Sequence, residues 1–305
     1  MTMTDGPATT APTTEETPRP EPAPFGPGSI LWEQVGLYAS ALAGNSAFIL
    51  QAMHPAIGTV VDQRSSFRTD PLGRAARSFA SVQTWVYGGE AALEEGRRLR
   101  EMHKSLSAVD EHGRTHHALS AGPWAWVHLT GFYAAVTAAR YFGGSPMTAE
   151  EEQQTFDEFM RLGRILQVPE RMLPATIADY WAYFDDMVAN TLVGHRVAHE
   201  VLEMMDRVPP GVPAALRPLL APVSMVSGRL GRFVTIGTLP QGARDKLGLS
   251  WTAADERRLH AVCSVIGRAT PLLPERVRYM PIAYRARQAA RARQRLERAL
   301  ADRPI

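Results

Sequence analysis

The chain is 305 residues long, enough to bury a sizeable core as one large domain or two small ones. Its 45% hydrophobic and 21% charged residues suit an ordinary globular protein, and a formal net charge of +2 gives no electrostatic reason to expect nucleic acid as a partner. A lone cysteine, Cys263, excludes an internal disulfide and a multi-cysteine metal cage and fits a reducing, cytoplasmic setting.

Residues 1–28 are dominated by Pro, Thr and Glu, with no basic start followed by an apolar run and no arginine pair. They carry no export signal and too little apolar surface to offset ordering, so a disordered tail is expected. The run ILWEQVGLYASALAGNSAFILQAM over 30–53 predicts one long helix, stopped at His54-Pro55 because proline disfavours helix in the residue before it. A turn-like patch, RSSFRTDPLGR, follows, and then two helices over 74–108 broken at Gly88-Gly89. A helix over 123–142 opens near Pro123 and ends at Gly143-Gly144. Thr148 and Glu151 form a capping-box pattern for 148–167. Helices are expected over 174–206 and 213–236, over 253–269 capped by Thr252, and over the Arg-rich, solvated 280–300. The most apolar stretch, SAGPWAWVHLTGFYAAVTAARYFG, contains Pro, His and Arg, which favours a buried helix over a membrane span. Alternating strand patterns and Asn-Gly hairpin turns are missing. The expectation is therefore all-α: a single large helical domain over 29–285, preceded by the tail and followed by an Arg-rich helix over 286–305.

Five of the nine histidines fall between Arg100 and His128, in the stretch REMHKSLSAVDEHGRTHHALSAGPWAWVH. Leu93, Leu99, Met102, Leu106 and Val109 recur at three- and four-residue intervals and mark a core-facing stripe. Beside it runs the row Ala92, Gly96, Arg100, His103, Ser107, which projects a cation and an imidazole together among small residues. In the next helix His128 shares a row with Trp124, Gly131, Ala135 and Ala139. Two apolar helices that each offer a histidine beside small residues, with arginines for carboxylates, provide what haem binding requires: an axial imidazole, apolar walls and cations for the propionates. The plainer reading stands beside it. A histidine on an apolar helix is more often a hydrogen-bonded core residue than a ligand, and an arginine there more often pairs or snorkels. His116 and His117 sit in what reads as a polar, solvated loop.

Three phrases carry a family resemblance: LQAMHPAIGTVVDQRSSFRTDPLGRAARS, RRLREMHKSLSAVDEHGRTHHALSAGPWAWVH and VTIGTLPQGARDKLGLSW. In order and spacing they resemble the mpaB-type oxygenases and rubber-oxygenase catalytic domains, the family that includes latex clearing protein, over roughly residues 30 to 285. The resemblance implies a mostly helical fold with a globin-like core holding haem b, and dioxygen as co-substrate. Latex clearing protein cleaves carbon–carbon double bonds of polyisoprene; mpaB-type members are associated with oxidative cleavage of a prenyl side chain. The pattern puts the proximal iron ligand on His128 and the arginine of its Arg-x-x motif on Arg100, in a polar cluster near the haem. Where latex clearing protein has a lysine three residues after that arginine, this chain has His103, followed by Lys104. Successive helical residues are about 100° apart, so one of the two points into the slot, and His103 shares the row with Arg100. Phe67, Asp70 and Arg74 also match. Asp70 and Arg74 are expected to fix the connecting loop, with a propionate contact from Arg74 as the sharper alternative, and His54 either bonds a helix terminus or lines the pocket.

Two rival classes are considered. GHRVAHE places His195 and His199 four apart, as in zinc helices, although Arg196 stands where a metalloprotease has its glutamate. A non-catalytic haem- or lipid-binding protein whose Arg-rich tail meets a membrane surface is the other. The leading expectation is a haem b-dependent oxygenase acting on an apolar, alkene-bearing small molecule. In it His128 is proximal, His103 distal, Arg100 holds a propionate or polarises dioxygen, and Trp124, Trp126 and Phe132 exclude water.

Overall fold

A computed structural model describes residues 22–207 and 217–301, with backbone alone for 217–223. The helices run in order as α1 (Ile30–Gln34), α2 (Tyr38–Met53), α3 (Pro55–Arg64), α4 (Pro71–Tyr87), α5 (Ala91–His103), α6 (Ala121–Phe142) and α7 (Ala149–Ile165). They continue as α8 (Ile177–Asp186), α9 (Arg196–Met204), α10 (Arg217–Gly237), α11 (Gln241–Lys246), α12 (Ala253–Ala269), α13 (Glu275–Arg278) and α14 (Pro281–Ala301). The fold is all-α apart from one small hairpin among the described residues, β1 (Ser107–Val109) with β2 (Thr115–His117). None of the described helices is long and apolar enough to cross a membrane.

The centre is the pairing of α2 with α6, more extensive than that of any other two elements. α6 buries Trp124, Ala125, Trp126, His128, Leu129, Thr130 and Phe132 in one unbroken stretch save Val127 and Gly131, so neighbours surround its first half. Polar bonds fix its register. His54 N–H bonds the Gln51 carbonyl at 3.1 Å as α2 ends, and the Trp126 indole donates to the Leu50 carbonyl at 3.1 Å. Gln51 donates to Thr130 Oγ1 at 2.9 Å.

Where the chain obeys local signals, the elements begin and end as expected. Thr148–Glu151 and Thr252–Asp255 form complete capping boxes at α7 and α12, and α4 gives way to α5 across Gly88-Gly89, with Gly89 at φ +59°. Four expectations fail, three for tertiary reasons and one, the hairpin, for a local one. The long helix over 30–53 is interrupted at 35–37, because Gly36 N–H bonds the Tyr87 hydroxyl (2.8 Å) and the Gly36 carbonyl accepts from Met280 N–H (2.8 Å). The helix over 174–206 divides at a π-turn over 187–191, where Lys246 Nζ caps the freed carbonyls of Ala189 (2.8 Å) and Leu192 (2.7 Å). The polar loop around His116 is a hairpin: Asp110 accepts from the backbone of His112 and Arg114 (both 2.9 Å) and faces His116 Nε2 at 2.9 Å. The expected tail ends earlier than residue 28, since Phe25 is buried with the Arg161 guanidinium 4.0 Å above its ring. Residues 1–21 and 208–216, where the rest of the tail and the start of the 213–236 helix fall, lie outside the described residues.

The Arg-rich helix runs from Pro281 to Ala301, close to the expected 280–300, but its first half is held rather than free in solvent. Ala283 is buried, Arg287 bonds Glu33 at 2.6 Å, and Arg291 bonds Glu275. The Arg291 contact, with the charges of Arg291, Arg287 and Arg278, holds the Glu275 carboxyl below its ordinary range despite burial, which opposes them. A depressed folded-state pKa favours the ionised native form. Its contribution is complete above the ordinary value of 4.5 and disappears as pH falls through the lowered one. Urea midpoints measured from pH 6 down to 3 should therefore drop less steeply in Glu275→Gln than in the wild type. Parallel profiles would show that this cluster does not contribute.

Candidate active site

α2, α4, α5, α6 and α7, with residues of α1, α3, α9 and α10, line a half-open cavity of about 1880 Å³ that is mainly apolar. Typical small-molecule pockets hold about 300–1,000 Å³, so its volume exceeds what one small guest would need. α6 contributes Trp124, His128, Gly131 and Ala135 to the wall, and α7 contributes Phe159 and Leu162. Of the small row expected beside His128, Gly131 and Ala135 are present.

His128 is 5% exposed, and its Nε2 has no hydrogen-bond partner. Burial lowers its pKa to about 4, opposed by the Phe159 carbonyl against the ring, so the imidazole is neutral at pH 7, the form that ligates metals. Nε2 lies against α7 at Gly163, and neither Gly163 nor Leu173 is among the residues that line the cavity. A Cβ on Gly163 would stand 2.9 Å from Nε2 and 2.9 Å from the Leu173 side chain, so the bare glycine, the leucine and the nitrogen converge on one space. An unpaired buried ring nitrogen costs free energy unless something meets it.

His103 closes α5 and also lines the cavity. Its Nδ1 is 2.8 Å from the Leu99 carbonyl, which accepts only; Nδ1 therefore carries the proton and Nε2 the lone pair. The ring meets Trp124 edge-on at 5.4 Å, and the Trp124 indole donates to the Leu166 carbonyl at 3.1 Å. Lys104 points away and pairs with Glu101 on the surface.

Arg100 does not accompany His103. It does not line the cavity, and its Nη1 donates to the Gln167 carbonyl at 3.3 Å, at the end of α7, where Gln167 adopts φ +53°. The small row behind it opens no slot either, since Ala92 is buried and Gly96 packs directly on the Ile165 carbonyl of α7. Helical spacing placed Arg100 and His103 on one face, but that face turns away from the cavity before its last residue.

Arg74 stands in the first turn of α4 and lines the cavity. Asp70 caps that helix, accepting from Gly73 N–H at 2.9 Å, and Phe67 is a core residue. Arg74 donates to the hydroxyls of Ser65 (Nε, 3.4 Å) and Ser78 (Nη1). Trp126 and Phe132 are fully buried one layer behind the wall. His54 serves a helix terminus, its Nδ1 accepting from Ala56 N–H at 3.2 Å. His195 lies outside α9 as its N-cap, accepting from Val197 N–H at 3.2 Å, so the four-residue pair with His199 is not a helical one. No group of three His, Cys, Asp or Glu among the described residues is arranged for a metal ion.

Sequence reading named Arg74 but missed the rest of α4's contribution. Ser78, Ser81 and Trp85 line the cavity with it, and the spacing of four, three and four places all of them on one helical face, a signal present in the sequence. Trp85 presents a buried indole N–H without a protein acceptor, and Phe79 meets Phe48 edge-on at 5.9 Å. Gly163 has no local signal, since its role depends on an approach from another helix.

Comparison with known proteins extends this picture. Two curated proteins, uncharacterized protein Mb2261 of Mycobacterium bovis and uncharacterized protein Rv2237 of Mycobacterium tuberculosis, are each 31% identical to this chain over 131 residues, 43% of the chain and 48% of each relative. The match thus spans about half the length of these relatives. No solved structure matches. Residues 32–268 match the family described as ER-bound oxygenase mpaB/B'/Rubber oxygenase, catalytic domain, a span that holds His103, His128, Arg74 and the whole of α2 to α7. The chain belongs to that oxygenase catalytic-domain family.

Proposed function

We propose that this chain is a haem b-dependent oxygenase that uses dioxygen on an apolar, alkene-bearing small molecule. The observation that carries the reading is His128: a buried, neutral imidazole with an unpartnered Nε2, beside a mainly apolar cavity with more volume than one small guest would need. The family supports oxygenase chemistry. The single cysteine excludes a paired thioether attachment, in keeping with the non-covalent haem b that the family resemblance implies.

Haem would supply the redox-active iron at which dioxygen is activated. The chain's own groups then have separable tasks. His128 would hold the iron through Nε2, and burial keeps it deprotonated for that purpose. His103, committed to Leu99 through Nδ1, offers a lone pair rather than an N–H, which favours a displaceable ligand over a hydrogen-bond donor to dioxygen. Trp124, Phe159 and Leu162 exclude water from the space between, which strengthens polar contacts made there.

An absorption spectrum of the protein expressed with haem precursor tests this directly. The wild type should show a Soret band, His128→Ala should lose it, and His103→Ala should keep it at a shifted wavelength. A colourless wild type, or equal loss in both variants, would overturn the assignment. Gly163→Ala fills the space before Nε2, and overpacking there costs about 1–3 kcal/mol, so haem affinity should fall about tenfold or more. Unchanged affinity in that titration would put the macrocycle elsewhere.

A further inference from the structure

The arginines on the cavity wall divide by how their charge is met. Arg98 is bonded twice by Glu95, at 2.6 Å each, Arg68 bonds Asp62 and Glu200, also at 2.6 Å, and Arg77 meets Asp70 at 3.0 Å. Arg64 is exposed and gives its Nε to the Ser107 carbonyl. Arg74 differs from all of these. It is half-buried, its hydrogen-bond partners are the neutral hydroxyls of Ser65 and Ser78, and no carboxylate among the described residues pairs with it. Burial and the repulsion of another cation, Arg77, both lower its pKa, and its own charge adds to the burial that lowers that of His103.

A guanidinium remains charged even when buried, so it cannot avoid the cost by losing its proton, as a lysine would. Holding such a charge in an apolar cavity without a counter-charge is expensive. A cavity that keeps one is completed by an anion brought by its occupant. We propose that Arg74, with Ser65 and Ser78 fixing its fork, is a carboxylate receptor inside the cavity. The planar fork suits two parallel bonds to a carboxylate, and the mainly apolar remainder of the cavity suits the long hydrocarbon body attached to it. The carboxylate can come from a long-chain unsaturated acid as substrate or from a propionate of the porphyrin. The inference rests on the same cavity as the proposed function but not on haem.

Two titrations of the full chain separate these sources, each made on the wild type, Arg74→Gln and Arg74→Lys. The first displaces fluorescent cis-parinaric acid from the haem-free protein with oleic acid and with oleyl alcohol. The second compares uptake of haem with uptake of its dimethyl ester. A wild-type preference of tenfold or more for acid over alcohol, lost in Arg74→Gln and partly kept in Arg74→Lys, assigns the receptor to substrate. The same pattern for haem over its ester assigns it to the porphyrin. Arg74→Lys also controls for folding, with circular dichroism melting of both variants. Equal ratios in wild type and Arg74→Gln in both titrations would overturn the receptor. A wild type that takes up no haem removes the haem reading and leaves the acid-to-alcohol ratio to decide this one.

Discussion

Everything in this molecule depends on α6 being surrounded. A helix that buries almost every side of its first half cannot place its polar side chains in solvent, so each must find a partner or remain a liability. Most find one: the indoles of Trp124 and Trp126 reach carbonyls of neighbouring segments, and Thr130 takes an amide hydrogen from Gln51. His128 does not, and its ring nitrogen is left bare against α7. The same packing that forms the core therefore creates the one group on α6 whose chemistry is unspent.

The cavity shows a comparable accounting for charge. Its wall is crowded with arginines, yet carboxylates on neighbouring turns neutralise most of them, as Glu95 does Arg98. Neutralised pairs define the rim without selecting an occupant, because their fields are satisfied locally. The polar groups left over are few: the guanidinium of Arg74, met only by hydroxyls, the indole N–H of Trp85, and the Nε2 atoms of the two imidazoles. They stand on α4, α5 and α6, and on the proposed reading these are the groups that would select an occupant.

Much of this was readable from the sequence, and most of the failures share a cause. Local chemistry wrote the capping boxes at Thr148 and Thr252 and the break at Gly88-Gly89, and these needed no tertiary information. The interruption at Gly36 depends on Tyr87 and Met280, the division after Asp186 on Lys246, and the hairpin on Asp110. Tyr87, Met280 and Lys246 are too distant in sequence to leave a local pattern, whereas Asp110 lies two to six residues from the groups it holds and was a local signal passed over. At the site, spacing correctly grouped Gly131 and Ala135 with His128, because one helical row faces one direction. It grouped Arg100 with His103 for the same reason and misplaced Arg100, because a row on α5 passes from the α7 interface to the cavity within a single turn. Periodicity says which residues share a face; it is silent on where along the helix the neighbour changes.

The glycine at position 96 has a mechanical consequence. It lets α5 lie directly on the Ile165 carbonyl, where a side chain would clash with main chain, and main chain does not yield as side chains do. α5 otherwise pairs far more with α4 than with α7, so this one close approach is where α7 holds the wall that bears His103. On the proposed reading, guests of unequal length would be accommodated on the α4 side, where Phe79 and Trp85 line the cavity.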